Sequence, residues 1–441
     1  MTDHADLLPR VRATIAREAL LVAGDTALVA VSGGADSLSL LHLLGRLAPE
    51  LNLHRTVAVF DHGWRPESAV EAEATAAWVK AQGHDVRLGR AEQPRRDEAA
   101  ARQQRHAFLE QCRIDAGARR IALGHSADDR AETLLLNLLR GTGTHGLGAM
   151  PAASGSLVRP LLDCARAELA AYAAHHRLPI ITDPTNAGGN LRARVRHELL
   201  PLIEQLRPGA RSALARTAAI CDSERQALDR YAARLLAQRA VDPPAESFTA
   251  GVRAMAIEVS DWSALPTGER HLLLRAWLAA FVGRLAEVDF ALIDALDTLA
   301  AGRADAQPLA WPRVLGDATA VRCGSRLWLG CWPDLAPWGP LPLGGPMPAG
   351  VPVITPDAPL LAQTLRPANY QVRSRRPGDS YQPAGRPRKP LGDWLAELGV
   401  PLPLRDRVPL LIDRDTIAWL PGLLPAADYR ASSGARLGVV S

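Results

Sequence analysis

The first 140 residues of this chain alternate short strand-like runs with helical patterns. The runs are Ala27–Val31, Thr56–Phe60, His84–Arg90 and Ile121–Gly124. Short strands separated by helices are typical of a parallel sheet with both faces covered, so we predict an α/β fold for this part of the chain. Ligands of such sheets bind at the carboxyl ends of the strands, and we expect the functional residues there.

A six-residue polar loop joins the first strand to the first long helical pattern. It consists of Ser32, Gly33, Gly34, Ala35, Asp36 and Ser37. Glycines let the backbone approach phosphate oxygens, and the N–H groups and dipole at a helix start attract an anion. The serine hydroxyls can bind phosphates, while Asp36 can hold Mg²⁺ against them. We therefore predict a phosphate-binding loop; the alternative is a strand-turn-helix corner capped by serine or aspartate.

The sequence of this loop differs from the two commonest phosphate-binding loops. It lacks the GKS/T ending of a Walker A loop and the GxGxxG spacing of a dinucleotide site. The string SGGADS resembles the PP-loop of the ATP pyrophosphatase superfamily. The resemblance implies that ATP is cleaved between its α- and β-phosphates and that the adenylate activates a carbonyl oxygen.

Motifs outside the loop make this resemblance more specific. They are DHGWRPES at 61–68, ARQQRH at 101–106, the long segment 124–150, RPLL at 159–162, DPTN at 183–186 and VRSRRPGD at 372–379. These segments resemble the motifs of the tRNA(Ile)-lysidine synthase family, over about residues 25–205 and 370–425. The expected fold is a PP-loop catalytic domain of the adenine nucleotide α-hydrolase-like type, followed by a helical domain and a small α/β domain.

The resemblance also implies a reaction. Members of the family join an amino group of free lysine to C2 of the wobble cytidine in the isoleucine tRNA that carries a CAU anticodon. ATP first adenylates the C2 oxygen and releases pyrophosphate; lysine then displaces AMP, and the modified tRNA reads AUA instead of AUG. The expected cofactors are ATP and Mg²⁺, and the expected partners are that tRNA and free L-lysine. The sequence leaves open whether the chain forms a homodimer.

The candidate site residues follow from the motifs and from the needs of this chemistry. Lysine requires a carboxylate to hold its ammonium and a base to deprotonate it. The expected catalytic residues are Asp36, His125 and Asp129, with Asp36 as the metal ligand. Phe60 and Asp61 are expected to bind ATP together with the loop. The expected lysine and tRNA ligands are Arg105, Asp128, Glu132, Arg140, Arg192 and Arg196.

Two alternatives apply to these ligands. Asp128 and Glu132 lie at a predicted helix start, where acids also act as helix caps. Each arginine can equally belong to a structural ion pair.

The chain departs from the family pattern at a few of these motif positions. Ser126 and Arg130 stand where histidine and glutamine are usual, and His106 replaces a tyrosine. Ala193 replaces an asparagine between Arg192 and Arg196. None of these changes removes the phosphate loop or Asp129.

The length of 441 residues suggests about three domains at roughly 150 residues each. We predict a catalytic domain over 1–206, a mainly helical tRNA-positioning domain over 207–345 and a small α/β domain over 346–441 that contacts the acceptor end of the tRNA. The roles of the last two rest on the resemblance. The net charge of +4 does not by itself establish a nucleic-acid partner.

Cysteine usage and hydropathy narrow the remaining alternatives. The five cysteines form no CxxC pair, which disfavours a PP-loop tRNA thiolase. The intact loop, Asp61 and Asp129 argue against a catalytically inactive RNA-binding relative. No apolar run reaches the ~18 residues of a membrane span, and the first residues lack the order of a signal peptide. We expect a soluble, cytoplasmic protein without membrane contact.

Overall fold

The computed structural model describes residues 6–65, 67–91, 98–181, 190–241, 253–283, 288–302, 309–310, 312–332, 337–343, 347–348, 370–421, 423 and 425–429. The DPTN motif at 183–186 lies outside these residues. The chain divides into two compact units, Met1–Ala227 and Leu228–Ser441. The three domains expected from the sequence stay a prediction.

The first unit contains a six-stranded sheet. Its strands are β1 (Thr26–Val31), β2 (His54–Asp61), β3 (Asp85–Arg90), β4 (Arg120–Ala122), β5 (Ala153–Ser154) and β6 (Leu157–Val158). Their order is β3-β2-β1-β4-β6-β5, and every neighbouring pair is parallel except β5 with β6. This confirms the predicted parallel sheet.

Ten helices accompany this sheet in the described residues. They are α1 (Leu8–Arg17), α2 (Ala35–Leu51), α3 (Glu67–Ala81), α4 (Glu98–Asp115), α5 (Ala127–Leu139), α6 (Thr144–Leu147), α7 (Arg166–His175), α8 (Leu191–Arg194), α9 (Leu200–Leu206) and α10 (Ala210–Arg239). A π turn, Val195–Leu199, joins α8 to α9.

The core of the first unit explains why these helices form where they do. Along α2, leucines recur every three or four residues and bury one face against β1 and α7, with Leu40, Leu43 and Leu44 fully buried. Each buried leucine contributes about 1.5–3 kcal/mol through removal of apolar surface from water. The helix ends at Asn52, which adopts a left-handed conformation with φ +46°.

Three neighbouring strands end at one edge of the sheet and position the candidate site. The phosphate loop follows β1, Gly124 and His125 follow β4, and Arg159 follows β6. Strand β4 ends two residues earlier than predicted, because Gly124 turns away to lie against the start of α2. A Cβ atom at Gly124 would lie 3.0 Å from the Cα atom of Ser37.

The second unit contains two larger antiparallel sheets. Its strands are β7 (Ala240–Val241), β8 (Ala254–Glu258), β9 (Leu309–Ala310), β10 (Ala318–Cys323), β11 (Arg326–Cys331), β12 (Leu341–Pro342), β13 (Tyr370–Arg373), β14 (Ser380–Tyr381), β15 (Lys389–Pro390), β16 (Leu410–Asp413) and β17 (Thr416–Trp419). Its helices after α10 are α11 (Thr267–Val282), α12 (Phe290–Ala300), α13 (Pro312–Leu315) and α14 (Leu391–Glu397).

The first of these sheets was not expected from the sequence. Its order is β7-β8-β11-β10-β9, so the described part of the region 207–345, predicted to be mainly helical, carries the helices α10 to α13 together with the five strands of this sheet and β12. The strands are short or buried on both faces, and the alanine- and leucine-rich helices beside them dominate the pattern. The second sheet has the order β12-β13-β16-β17, and α14 lies between β15 and β16 in the chain, so the C-terminal region contains both strands and a helix.

The described helices include none with the length and apolar character needed to cross a membrane.

Candidate active site

The phosphate loop is held in one conformation by its own hydroxyls. Gly33 has φ +82°, and a Cβ atom there would lie 2.8 Å from Thr75 Oγ1. The Ser37 hydroxyl donates to the Gly34 carbonyl at 2.9 Å and accepts from the Ser32 backbone N–H at 3.1 Å. Position 33 therefore needs glycine for two reasons, its backbone conformation and the space beside it.

The first turn of α2 presents a favourable environment for an anion. No side chain caps the helix at Gly34, so backbone N–H groups of this turn point into the site without a capping partner. The helix is 17 residues long, and its dipole adds positive potential at this end. The loop geometry and the uncapped helix start fit the phosphates of a nucleotide.

Asp36 lies in this first turn, and its carboxylate is largely withdrawn from water. Burial raises the pKa of Asp36 to about 6, against the opposing charge of Arg166, whose Nε lies 3.6 Å from Asp36 Oδ2. Among the described residues, no three acidic, histidine or cysteine side chains converge to hold a metal by themselves. Asp36 therefore fits the way Mg²⁺ is usually bound, by one or two carboxylates together with phosphate oxygens.

Two carboxylates one turn apart on α5 form the centre of an arginine cluster. Asp129 Oδ1 lies 2.7 Å from Arg166 and 3.2 Å from Arg196. Glu132, which is fully buried, accepts from Arg166 at 3.0 Å, from Arg196 at 2.7 and 2.8 Å, and from Arg192 at 3.4 Å. Burial alone would raise the pKa of Asp129, but Arg166 and the backbone N–H of Ser126 lower it below the ordinary value.

Asp128 lies outside this cluster, and its carboxylate links three helices. Its Oδ2 accepts the backbone N–H of Arg166, the first residue of α7, at 2.8 Å, and its Oδ1 accepts from Arg211 of α10 at 3.0 Å. The carboxylate thus caps α7 and ties it to α5 and α10.

His125 receives a hydrogen bond from a buried arginine. Arg159 Nε donates to His125 Nδ1 at 3.2 Å. Burial lowers the pKa of His125 to about 3; Asp129 opposes this shift, and Arg159, Arg105 and Arg192 add to it. His125 is therefore uncharged at neutral pH.

Arg105 adds positive charge that no described carboxylate balances. Its Nε is buried and makes no hydrogen bond, and burial lowers the pKa of its guanidinium, with Arg102 and Arg192 contributing. The acids of the cluster are already paired with arginines, so Arg105 and Arg159 supply surplus positive charge. This surplus favours a bound anion.

Phe60 and Asp61 end strand β2 beside the phosphate loop. The Phe60 ring contacts His62 and Phe108, with ring centroids 5.1 and 5.2 Å away. Asp61 Oδ1 accepts from the Gly63 N–H at 2.7 Å and the Ser68 hydroxyl at 2.6 Å, so this carboxylate shapes its own turn.

Arg140 does not join the other predicted residues. It is exposed at the carboxyl end of α5, the opposite end from Asp129.

Two of the departures from the family pattern, Ser126 and Arg130, have structural roles here. Ser126 donates from its N–H and its hydroxyl to Asp129 Oδ2, at 2.9 and 3.0 Å, which fixes the catalytic candidate Asp129. Arg130 is buried and donates to the Met150 carbonyl at 3.4 Å.

Three arginines of the site were not predicted from the sequence: Arg159, Arg166 and Arg211. Arg159 belongs to the RPLL motif but received no role, because nothing local indicates that it contacts His125. Arg166 and Arg211 each lie in the first turn of a helix outside the quoted motifs, and only the tertiary fold brings them to the carboxylates.

Comparisons with known proteins cover nearly the whole chain. Family models match for a PP-loop domain at residues 10–203, a TilS substrate binding domain at residues 258–328 and a TilS substrate C-terminal domain at residues 370–441. The tRNA(Ile)-lysidine synthase of Geobacter sulfurreducens is 33% identical over 473 residues, which cover 98% of this chain and 95% of that protein. The protein of the same name from Symbiobacterium thermophilum is 32% identical, with coverage of 98% and 97%.

A solved structure of a U34-tRNA thiolase from Methanococcus maripaludis aligns with a TM-score of 0.41 at 16% identity, over 48% of this chain and 77% of that one.

Proposed function

This chain belongs to the tRNA(Ile)-lysidine synthase family of ligases, and we propose that it joins free L-lysine to C2 of the wobble cytidine in the CAU-anticodon isoleucine tRNA. In the first step the C2 oxygen attacks the α-phosphorus of ATP, and pyrophosphate leaves. In the second step a lysine amino group attacks C2, and AMP leaves with the oxygen. The product is lysidine, which reads AUA.

The observation that carries this proposal is the uncapped start of α2 beside unbalanced arginines. The loop and the first turn of α2 would hold the phosphates of ATP, and Arg105 would compensate their charge. Asp36 is the residue that would hold Mg²⁺, which neutralises phosphate charge when it is bound. Phe60 lies beside the loop, where it would contact the nucleoside part of ATP.

Lysine would have to compete for carboxylates that arginines already occupy. Both Asp129 and Glu132 are paired, and the longest of these pairs belong to Arg192, at 3.8 Å from Asp129 and 3.4 Å from Glu132. We therefore expect the lysine ammonium to displace Arg192 rather than Arg166 or Arg196. The displaced guanidinium would then be available to a phosphate.

The rest of the chain would bind tRNA. The matches to a substrate binding domain and a substrate C-terminal domain support a role of 207–345 in positioning the tRNA and of 346–441 in contacting its acceptor end. Arg140, exposed and away from the carboxylates, suits a tRNA phosphate. We expect the reaction to take place in the cytoplasm, where its substrates occur.

A thiolase reaction is the weaker alternative. All five cysteines are free, and the described residues contain no group of three cysteine, histidine or acidic side chains that could hold a cluster.

The proposal is tested by incubating the protein with ATP, Mg²⁺, radiolabelled lysine and an unmodified CAU isoleucine tRNA transcript. Label in acid-precipitable RNA and released pyrophosphate are counted for the wild type, for Asp36→Ala and for Asp115→Ala, a control at an exposed carboxylate on α4. We expect ATP-dependent label in the wild type and the control and none in Asp36→Ala.

The other outcomes separate the alternatives. Pyrophosphate without label would mean that the chain adenylates tRNA but that lysine is the wrong nucleophile. Neither product from folded protein would favour an inactive RNA-binding relative.

A further inference from the structure

Arg159 is a buried cation without a carboxylate partner among the described residues. Within the described residues its side chain makes two hydrogen bonds. Nε donates to His125 Nδ1 at 3.2 Å, and Nη1 donates to the Pro151 carbonyl at 2.7 Å. The residue is 5% exposed. Burying a guanidinium that lacks a carboxylate partner costs folding free energy. We therefore expect Arg159 to have a role other than stabilising the fold.

The bond between the two side chains determines the tautomer of His125. An arginine nitrogen donates and never accepts, so Nδ1 of the imidazole must present its lone pair. The proton of the neutral ring is then on Nε2. A doubly protonated ring would place a second N–H and a second positive charge against Arg159, which excludes that form.

Of the charged groups around His125, the arginines lower the pKa of its imidazole and one carboxylate raises it. Arg159 follows β6, Arg105 lies on α4 and Arg192 on α8, and all three disfavour a charged ring. Asp129 on α5 favours it. Burial and the arginines prevail, so the ring stays neutral over the working range of pH.

The backbone holds both residues in place. Strands β4 and β6 are parallel neighbours, with Ala122 opposite Val158. The ladder continues from the Leu123 N–H to the Val158 carbonyl at 2.9 Å, and the Arg159 N–H donates to the Ala152 carbonyl at 2.9 Å. The guanidinium therefore reaches His125 from a fixed point.

We propose that Arg159 is a positioning residue that holds His125 as a neutral Nε2–H donor, and that His125 donates a hydrogen bond to an oxygen that gains negative charge during adenylation. His125 then takes no proton from lysine, so the base of the second step is another group. A fixed donor aimed at developing charge stabilises a transition state without reorganisation. This inference rests on the proposed function, because it assigns His125 to the first step.

Imidazole ¹⁵N spectra of the full-length chain, recorded without tRNA or lysine, test the tautomer directly. The His125 signals are assigned by their loss in His125→Gln. We expect an unprotonated Nδ1 and a protonated Nε2 from about pH 5.5 to about pH 8.5, a range in which ordinary histidines titrate. In Arg159→Leu we expect both tautomers and a His125 pKa closer to the ordinary value of about 6.5.

Two further variants separate positioning from mere packing. Arg159→Gln removes the charge but keeps an N–H donor, and we expect it to preserve the wild-type tautomer in part. Arg130→Leu removes another buried arginine, which contacts Met150 and Asp163 instead of His125, and should leave the His125 signals unchanged.

The rate of pyrophosphate release gives the second measurement. Arg159→Leu should lower kcat by up to about 100-fold, the lower end of the effect of deleting one oriented donor, because the donor is misplaced and not removed; the change in KM for ATP should be much smaller. Its rate should also fall toward low pH, where the freed imidazole becomes protonated, while the wild-type rate should not follow a histidine titration.

A wild-type His125 that carries its proton on Nδ1, or that titrates near the ordinary value, would overturn the proposal. Unchanged His125 signals and an unchanged pH profile in folded Arg159→Leu would also overturn it. Failure of lysine incorporation with normal pyrophosphate release would instead count against the proposed function.

Discussion

Arg196 binds the carboxylate of Glu132 through two parallel hydrogen bonds, from Nε to Oε1 at 2.7 Å and from Nη2 to Oε2 at 2.8 Å. This two-point geometry orients Glu132 as well as pairing its charge. Because Arg166 shares the same carboxylate, Glu132 connects the start of α7 to the π turn.

Glu132→Gln should destabilise the first unit and reduce lysine incorporation. Removing the negative charge takes away the buried carboxylate that Arg166 and Arg196 share and leaves Asp129 as their common partner, at a cost of about 1–3 kcal/mol after allowance for the partial exposure of the arginines. Thermal unfolding of the purified protein measures the change. Glu198→Gln is the control, because Glu198 and its partner Arg194 are exposed and their pair contributes little. Equal effects of the two substitutions would contradict this view of Glu132.

Gly33→Ala should abolish ATP-dependent pyrophosphate release while the protein stays folded. The new methyl group meets Thr75 Oγ1, and alanine also resists φ +82°, so the loop must shift away from its phosphate-binding form. Gly24→Ala is the matched control: Gly24 has φ +85°, but a methyl group there meets nothing within 4 Å. Both should lose about 1–2 kcal/mol of stability from backbone strain, and the control should keep its activity. Loss of activity in Gly24→Ala would show that strain alone is responsible.

Asp36→Asn should stabilise the ligand-free protein more at neutral than at acidic pH. The folded pKa of about 6 exceeds the ordinary value, so the folded state binds a proton that the unfolded state releases. Wild-type stability therefore falls as pH rises through this interval, by up to about 3 kcal/mol, and asparagine removes the dependence. Melting temperatures at about pH 4.5 and about pH 7.5 measure this difference. Asp115→Asn, at an exposed site, should show no such trend, and a trend shared by both variants would count against the role of burial.

Arg105→Met should raise the melting temperature and lower the rate of adenylation. The guanidinium is buried near Arg102 and Arg192 without a described carboxylate, so an apolar side chain of similar length removes a desolvated charge. Arg113→Met, on the same helix, is the control and should lower the melting temperature slightly without changing the rate of adenylation. Arg113 pairs with Glu110 at 2.6 Å and donates to the Ala118 carbonyl, so its loss should cost a little stability and no activity. A destabilised Arg105→Met with normal turnover would make Arg105 a structural residue.

The sequence predicted the architecture of the first unit better than the contacts of its site. Short apolar runs fix β1, β2 and β4, and local chemistry identifies the loop after β1, because these signals lie within a few residues. The placement of Asp129 beside Ser126 also follows from spacing, since three residues separate a helix cap from its partner.

The electrostatic partners of the site could not be read from local patterns. Arg166 and Asp129 are 37 residues apart in the sequence, and Arg159 and His125 are 34 residues apart. Helix and strand periodicity does not predict contacts between residues so far apart in the sequence. Arg140 shows the converse: it lies close to Asp129 in the sequence, but the length of α5 places it at the far end of the helix, and its predicted role as a tRNA ligand stays a prediction. The strands β5, β6 and β7 are two residues long, which is too short for an alternation of apolar and polar residues to be recognised in the sequence.

The π turn between α8 and α9 makes this part of the chain sensitive to insertions and deletions. Its wide turn lets Val195 and Leu200 enter the core while Arg196 faces Glu132. Removing one residue from this turn would rotate the helical residues after it by about 100° about the helix axis, relative to the helical residues before it. Either Leu200 would leave the core or Arg196 would lose its carboxylate, so the number of residues in this segment is constrained independently of their identity.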